Sequence, residues 1–418
     1  MFDFAKRKVC ANQLTSMIKG IAALTPTLLL TLMFTSCMSD GYTDTAAGKS
    51  DTYINLNVST PTAQARANAP AGSTTGTSGS PGQDETSPNP TEEEKIYSIR
   101  VWAFKSNTDE NAMPIGFKAE TGLSATGSHN VSMKLLRKAA GNLESIDLYI
   151  LLNAESIDVL NGSDCNTMTR KALKEATFDS NFGIKTDGSP QATTVPAKGL
   201  PISRVITNIN VKDNIADNAA AAAANPVSVP LVRAVSKLHF FFARKTGNDT
   251  ESVTVTRIEV NGETLTAASP VFPEAATNAE KDTKGLKGSF NGLTYLTKNL
   301  IFGGIATDQI KPVDDPKTYI RQPGEKAQDY MTRLSKAVHE GCRSYLRETK
   351  TITGKIYYKS NASLEKARSV EFQIPDAYRN HELVVYGYFS GEAFLDNLKL
   401  QYYVADWNVK DATDITFN

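Results

Sequence analysis

Apolar and polar residues alternate along this chain in many short runs. From Tyr53 to Val58, Ile54, Leu56 and Val58 alternate with Tyr53, Asn55 and Asn57, the period of two that gives a strand one core-facing side. The pattern returns from Ile96 to Phe104, where Trp102 and Phe104 add large apolar side chains, from Asn130 to Leu136, and from Ile202 to Val211. Ile146 to Asn153 is apolar enough for a central strand buried on both faces. Thr167 to Phe178 instead places Met168, Ala172, Leu173 and Ala176 near helical spacing. The alanine run Ala219 to Ala224 favours helix intrinsically but is too short to hold one alone, so 217–226 reads as a linker between domains.

Leu231 to Lys245 opens the second half as a strongly apolar strand. Ser252 to Asn261 alternates and ends at Asn261-Gly262, a favoured hairpin turn. From Ala267 to Glu348 the pattern weakens; the segment reads as loop-rich, with one helix candidate from Tyr330 to Leu346. Strands return at Thr351 to Tyr358, Ser369 to Ile374, Leu383 to Phe389, Leu398 to Trp407 and Ala412 to Phe417. Many short strands with few helices predict an all-β fold of two tandem β-sandwich domains, 96–225 and 226–418.

The first strand stands apart from these. Behind it lies a Gly/Ser/Thr/Pro tract from Pro70 to Pro90 and the acidic run Glu92, Glu93, Glu94, so 67–95 reads as a disordered linker. A strand that needs a core, joined through such a tract with the Arg66-Ala67 bond just past its end, is well placed for removal by a protease. On that reading 37–66 is a propeptide. Arg100 competes as a cleavage point, but it lies within an expected strand.

Residues 1–36 carry Lys6, Arg7, Lys8 and Lys19, then an apolar run from Ile21 to Phe34, then Phe34-Thr35-Ser36-Cys37. This is the order of a secretory signal, and the run is shorter than a membrane span and contains Pro26. Small residues before Cys37 resemble a lipobox, which implies cleavage before Cys37 and lipid attachment to it; the alternative is a general signal with an incidental cysteine.

Composition narrows the function classes. The chain has 418 residues, 40% hydrophobic and 22% charged, with 45 basic and 45 acidic side chains and zero formal charge. Losing the leader, with its four basic residues and Asp3, leaves the mature chain at −3. Nothing in this balance points to a nucleic-acid partner. Cys165 and Cys342 in the body either pair or stand as separate thiols; neither supplies a CxxC spacing. The four histidines, His129, His239, His339 and His381, have no metal-ligand spacing, and no HExxH, GxSxG, Walker or GxGxxG pattern occurs. The expectation is a non-enzyme without a cofactor or metal, with His239 a hydrogen-bonded core residue.

Four segments together resemble the fimbrillin family, the FimA-type subunits of type V pili. They are Leu200-Pro201-Ile202-Ser203, Arg233-Ala234-Val235-Ser236-Lys237-Leu238, Arg379-Asn380-His381 followed by Leu383 to Tyr386, and Val404-Ala405-Asp406-Trp407. The resemblance spans nearly the whole mature chain, and it rests on the combination and order of the segments. It implies two transthyretin-like β-sandwich domains, a precursor held on the outer membrane by lipid at Cys37, and an arginine-specific protease cutting at Arg66-Ala67. It further implies a displaced strand with Tyr53, Ile54, Leu56 and Val58, and a C-terminal donor strand with Leu400, Tyr402, Val404, Trp407, Ile415 and Phe417. The partners it implies are other pilin subunits, both further copies and accessory pilins, in a cell-surface fimbrium. Because such a contact runs head to tail, it builds a fibre.

The tract from Pro70 to Pro90 is longer than the family's usual spacing. The alternative for this chain is a tip adhesin, an anchor or a non-polymerising surface lipoprotein that recognises a glycan or host protein through 267–348.

Overall fold

The computed structural model describes residues 52–60, 90–136, 144–178, 195–246, 253–273, 295–360, 368–389, 398–406 and 412–416, except 212–214, 217, 225, 266–268, 307 and 326. They belong to one compact unit that begins at Ser50. Its strands are β1 (Thr52–Ser59), β2 (Lys95–Lys105), β3 (Gly116–Thr126), β4 (Ser128–Leu135), β5 (Ser145–Leu152), β6 (Thr177–Phe178), β7 (Ile202–Asn210), β8 (Val227–Pro230), β9 (Val232–Arg233) and β10 (Ser236–Lys245). They continue with β11 (Val253–Leu265), β12 (Ser269–Pro270), β13 (Tyr295–Phe302), β14 (Pro312–Val313), β15 (His339–Leu346), β16 (Thr349–Ser360), β17 (Arg368–Ile374), β18 (His381–Phe389), β19 (Leu398–Asp406) and β20 (Ala412–Thr416). The helices are short: α1 (Pro90–Glu93), α2 (Arg170–Glu175), α3 (Ala219–Ala224) and α4 (Ala327–Ala337). The all-β expectation holds.

Two sheets, ordered β4-β1-β8 and β3-β2-β5-β7-β9, face each other in the first lobe. Between them lies a core that includes Ile54, Leu56, Val58, Ile99, Val101, Leu148 and Ile150. The second lobe pairs β13-β11-β16-β17 with a larger sheet ordered β14-β10-β18-β19-β20, in which β15 also lies against β10. Its core includes Phe240, Phe242, Ile258, Ile356 and Leu400. A third apolar cluster joins the lobes. Trp102, Tyr149 and Leu151, on the outer face of the five-stranded sheet, meet Val235, Val271, Phe272 and Tyr345 from the second half of the chain. This explains why Ile146 to Leu152 is apolar on both faces: its even positions face the first core and Tyr149 and Leu151 face the junction.

Several expectations change on contact with tertiary structure. β8 and β9 follow the expected division at 225/226, yet β8 pairs with β1 and β9 with β7, both in the first lobe. The alanine run is helical after all, because the Asn218 side chain accepts a hydrogen bond from the Ala221 N–H and Ala222 is buried. In Thr167 to Phe178 only α2 is helical, capped by the Thr169 hydroxyl, and Thr177–Phe178 turns into strand β6. The helix candidate from Tyr330 to Leu346 ends at Ala337, since His339–Leu346 pairs along β10. Asn261-Gly262 makes no turn. β11 runs through both residues with a bulge between Asn261 and Glu263, held by β13 on one side and β16 on the other. The acidic run is not part of a disordered linker either: α1 contains Glu92 and Glu93, and Glu93 and Glu94 are buried.

Candidate functional site: a strand slot and the lobe junction

β1 is the middle strand of its sheet. It runs antiparallel to β4 along its whole length, from Thr52 opposite Leu135 to Ser59 opposite Ser128. On its other side it runs parallel to β8, from Leu56 opposite Val227 to Ser59 opposite Pro230. Ahead of β8 the backbone of Ala216 takes over. The Tyr53 N–H donates to the Ala216 carbonyl at 2.8 Å, and the Ala216 N–H donates to the Tyr53 carbonyl at 2.9 Å. Ile54, Leu56 and Val58 are fully buried, while Asn57 Nδ2 donates to Asn130 Oδ1 at 2.8 Å. Among the described residues, β4 and β8 have no sheet partner except β1. Remove β1 and that sheet ceases to exist.

The connection away from β1 is equally particular. The Thr60 N–H donates to the Gly127 carbonyl at 2.8 Å, and the Gly127 N–H donates to the Glu94 carbonyl at 3.1 Å. Gly127 has φ of 78°, a backbone conformation that glycine adopts without a Cβ clash. The two ends of 61–93 thus meet across one residue, a gap that a few residues of extended chain would span. The chain runs through more than thirty instead. Arg66 and Ala67 lie in this stretch and, like Cys37 and the leader, outside the described residues. The competing Arg100 sits in β2, buried, with Nη2 2.9 Å from Glu155 Oε1 and 3.2 Å from the Asn161 carbonyl.

The expected donor strand divides into unlike parts. Leu400, Tyr402 and Val404 lie on β19, which pairs with β18 over His381–Phe389 and on its other side with β20. Leu398 and Leu400 are buried in the second core. β19 is an interior strand in this structure, so donating it would part β18 from β20. Ile415 lies on β20, which among the described residues pairs with β19 alone, at the end of the sheet order. Trp407 and Phe417 lie outside the described residues.

Three of the four segments that carried the family resemblance, those around Ser203, Arg233 and Arg379, converge elsewhere, at the junction between lobes. The Ala234 N–H donates to the Pro201 carbonyl at 2.9 Å, and the Asn380 N–H to the Val235 carbonyl at 2.9 Å. Ser203 Oγ donates to the Val271 carbonyl at 2.6 Å. Arg379, buried, donates from Nε to Glu348 Oε1 at 2.6 Å and from Nη2 to the Pro270 carbonyl at 2.6 Å. Pro270 and Ser269 in turn pair with β6 of the first lobe. Asn380 adopts φ of 61°, a left-handed conformation that asparagine tolerates.

A second set of buried charges lies beside it. Lys237 Nζ stands 3.0 Å from Glu93 Oε1 and 3.3 Å from Glu382 Oε1, and the Tyr345 hydroxyl donates to Glu93 Oε1 at 2.7 Å. His239 lies between Glu382, 3.1 Å from Nδ1, and Glu340, 2.9 Å from Nε2. It is a core histidine with polar partners, as its apolar strand predicted. Burial alone would raise the Glu382 carboxyl, but the Lys237 ammonium and then His239 outweigh it and hold the group at about 2. Burial likewise opposes ionisation of Glu93 and Lys237. Lys237 nevertheless pulls the Glu93 carboxyl down, and Glu382 and Glu93 push Lys237 up. Nothing in the sequence local to Glu93 announced this; its partner Lys237 is far away in the chain.

Region 267–348 contributes strands β13 and β15 to the second lobe's sheets, and its helix α4 covers one of them. Tyr330, Leu334 and Val338 pack against Phe241, Val384 and Tyr386 on the outer face of the larger sheet, and the Tyr386 hydroxyl donates to the Pro316 carbonyl at 2.9 Å. Cys165 and Cys342 are free thiols in different apolar clusters. His129 contacts Glu120 at 2.9 Å. Among the described residues no three His, Cys, Asp or Glu side chains gather as a metal site.

No protein-family model matches the chain, and no curated protein matches it by sequence. Among solved structures it is similar to a proposed cell adhesion protein from Parabacteroides distasonis, at 12% identity and a TM-score of 0.45 over 84% of this chain and 96% of that one. It is also similar to the tip fimbrial protein Mfa3 from Porphyromonas gingivalis with a C-terminal truncation, at 11% identity and a TM-score of 0.44 over 85% and 100%. A fimbrial assembly protein from Parabacteroides distasonis is similar at 13% identity and a TM-score of 0.40 over 88% and 100%. At such identities the roles of individual residues are read from this chain's own geometry.

Proposed function

We propose that this chain is the precursor of a structural, non-enzymatic subunit of a type V pilus. Its first strand is a temporary occupant, removed after Arg66 and replaced by a strand from another subunit. The observation that carries this reading is that β1 is the sole described sheet partner of both β4 and β8, yet joins the rest of the fold through a stretch whose ends already meet at Gly127.

Magnitudes support exchange. Burying Ile54, Leu56 and Val58 contributes roughly 1.5–3 kcal/mol each, an upper bound near the ~8 kcal/mol of a micromolar complex. A tethered strand held that strongly stays in place, because the tether keeps its effective concentration in the millimolar range or above. Once the Arg66-Ala67 bond is cut, the same strand can be diluted away. The emptied slot offers backbone donors and acceptors on β4 and β8 and three apolar positions, the features that strand addition uses. Lipid at Cys37 holds the precursor on the outer membrane until the cut. On the donating side β20 suits the role better than β19, because its withdrawal leaves the second core paired.

The test is digestion of the secreted form, beginning at Cys37, with an arginine-specific protease, alongside Arg66→Ala and Arg100→Ala variants. A single cut that Arg66→Ala alone abolishes, followed by SDS-resistant ladders that removal of 410–418 prevents, is the expected result. Clean cutting that yields a stable monomer contradicts the stalk reading and favours a tip, anchor or glycan-binding role.

A further inference from the structure

Loss of β1 leaves the first lobe with an opened core, and an opened sandwich of this size tends to unfold or aggregate. We infer that the second lobe acts as a built-in scaffold, keeping the five-stranded sheet of the first lobe folded while the β1 slot is empty. The inference rests on the strand-removal reading and adds to it what preserves the receptive state.

The five-stranded sheet is covered twice. One face meets β1, β4 and β8 through Ile99, Val101 and Ile150; the other meets the second half of the chain through Trp102, Tyr149 and Leu151. Emptying the slot strips the first face only. The second is pinned by groups that lie apart from β1. Phe272 packs edge-on against both Trp102 and Tyr149, with ring centroids 6.3 and 5.3 Å away. Arg379 holds the carbonyl of Pro270, next to the Val271-Phe272 pair, and Ser203 of β7 grips the Val271 carbonyl. β9 continues the sheet at Ile202 opposite Arg233 and leads directly into β10.

Glu93 completes the arrangement. It is nearly the last residue of the stretch that joins β1 to the fold, and it is the point at which the chain becomes fixed on the second lobe through Lys237 and Tyr345. Anything that frees the chain upstream of Glu93 stops there: β2 starts at Lys95, already anchored. Asn153 adds a local brace, accepting from the Tyr97 N–H at 2.8 Å and donating to the Lys95 and Leu200 carbonyls at 2.9 and 2.8 Å.

The experiment is amide hydrogen exchange on the full chain carrying Leu56→Asp, which disfavours docking of β1 without any protease or second copy, with and without Glu93→Gln. In Leu56→Asp, β4 and β8 are expected to lose protection by about a hundredfold, while β2, β5 and β7 stay within about threefold of the parent. Adding Glu93→Gln is expected to lower protection in β2, β5 and β7 by about a hundredfold, the scale of breaking a buried ion pair. If Leu56→Asp fails to fold, Leu56→Ala gives the same order of opening at smaller amplitude. Opening of β2, β5 and β7 together with β4 and β8 in the single variant overturns the inference, as does an absence of any added effect from Glu93→Gln. Because no cleavage or polymerisation is involved, a failed strand exchange and a failed scaffold give separate results.

Discussion

The β1 slot and the lobe junction hold chain segments together by different means. β1 bears no acidic or basic side chain; a backbone ladder and three buried aliphatic side chains supply its core contacts. Any extended segment with apolar residues at alternate positions can reproduce those contacts. The junction uses Arg379 with Glu348, Lys237 with Glu93 and Glu382, and single side chains fitted to single carbonyls. Such contacts depend on one residue meeting one partner, and breaking one leaves a buried charge unsatisfied. Generic contacts suit a strand that is to be exchanged, and specific ones suit a joint that is to persist.

The largest effect is expected at the junction. Arg379→Met leaves the Glu348 carboxylate buried without its partner and is expected to destabilise the protein by about 4 kcal/mol. In chemical denaturation followed separately by probes in each lobe, the lobes are expected to unfold at different midpoints in the variant and together in the parent. Coincident, unshifted transitions would place the joint elsewhere.

In the slot, Leu56→Ala removes a fully buried side chain and is expected to cost about 2 kcal/mol. Its effect should fall on β4 and β8 and spare the second lobe, which hydrogen exchange resolves strand by strand. Acid separates the regions without mutation. Glu382 titrates near 2 in the folded protein against 4.5 ordinarily, so its contribution is complete above 4.5 and is lost as pH falls from 4.5 through about 2. Glu93 is lowered too and acts in the same direction. Between those pH values junction amides should open before the β1–β4 ladder, because β1 has no carboxylate to protonate; the reverse order, read by exchange at stepped pH, would show that the junction charges contribute little. The smallest effect belongs to Asn57→Ala, whose contact with Asn130 faces solvent and should contribute about 1 kcal/mol or less in thermal unfolding.

The slot was largely legible in the sequence and the junction was not. Strict alternation at Ile54, Leu56 and Val58 is a local signal, and an apolar strand beside a Gly/Ser/Thr/Pro tract is visible without neighbours. Glu93 gave no such signal, since an acidic run next to a polar tract reads as solvated until Lys237 and Tyr345 arrive from distant strands. The C-terminal strands show the same limit: alternation marks Leu400, Tyr402 and Val404 as strand, but only pairing with β18 on one side and β20 on the other shows that the strand is interior. Asn261-Gly262 misled because the dipeptide suits a tight turn and a bulge alike, and partners on both sides of β11 select the bulge. The segments near Ser203, Arg233 and Arg379 stood out by resemblance; their physical role as one interlocking joint emerges from contacts between residues far apart in the chain.

The most direct test of the account is strand replacement in the cut protein. After cleavage at Arg66, an isotope-labelled peptide of residues 51–66 is added in excess, and native mass spectrometry follows the complex. The account predicts that labelled peptide replaces the resident strand one for one while the rest of the chain stays folded. A cut protein that keeps its original strand indefinitely under excess peptide, or that unfolds as the strand leaves, would contradict it.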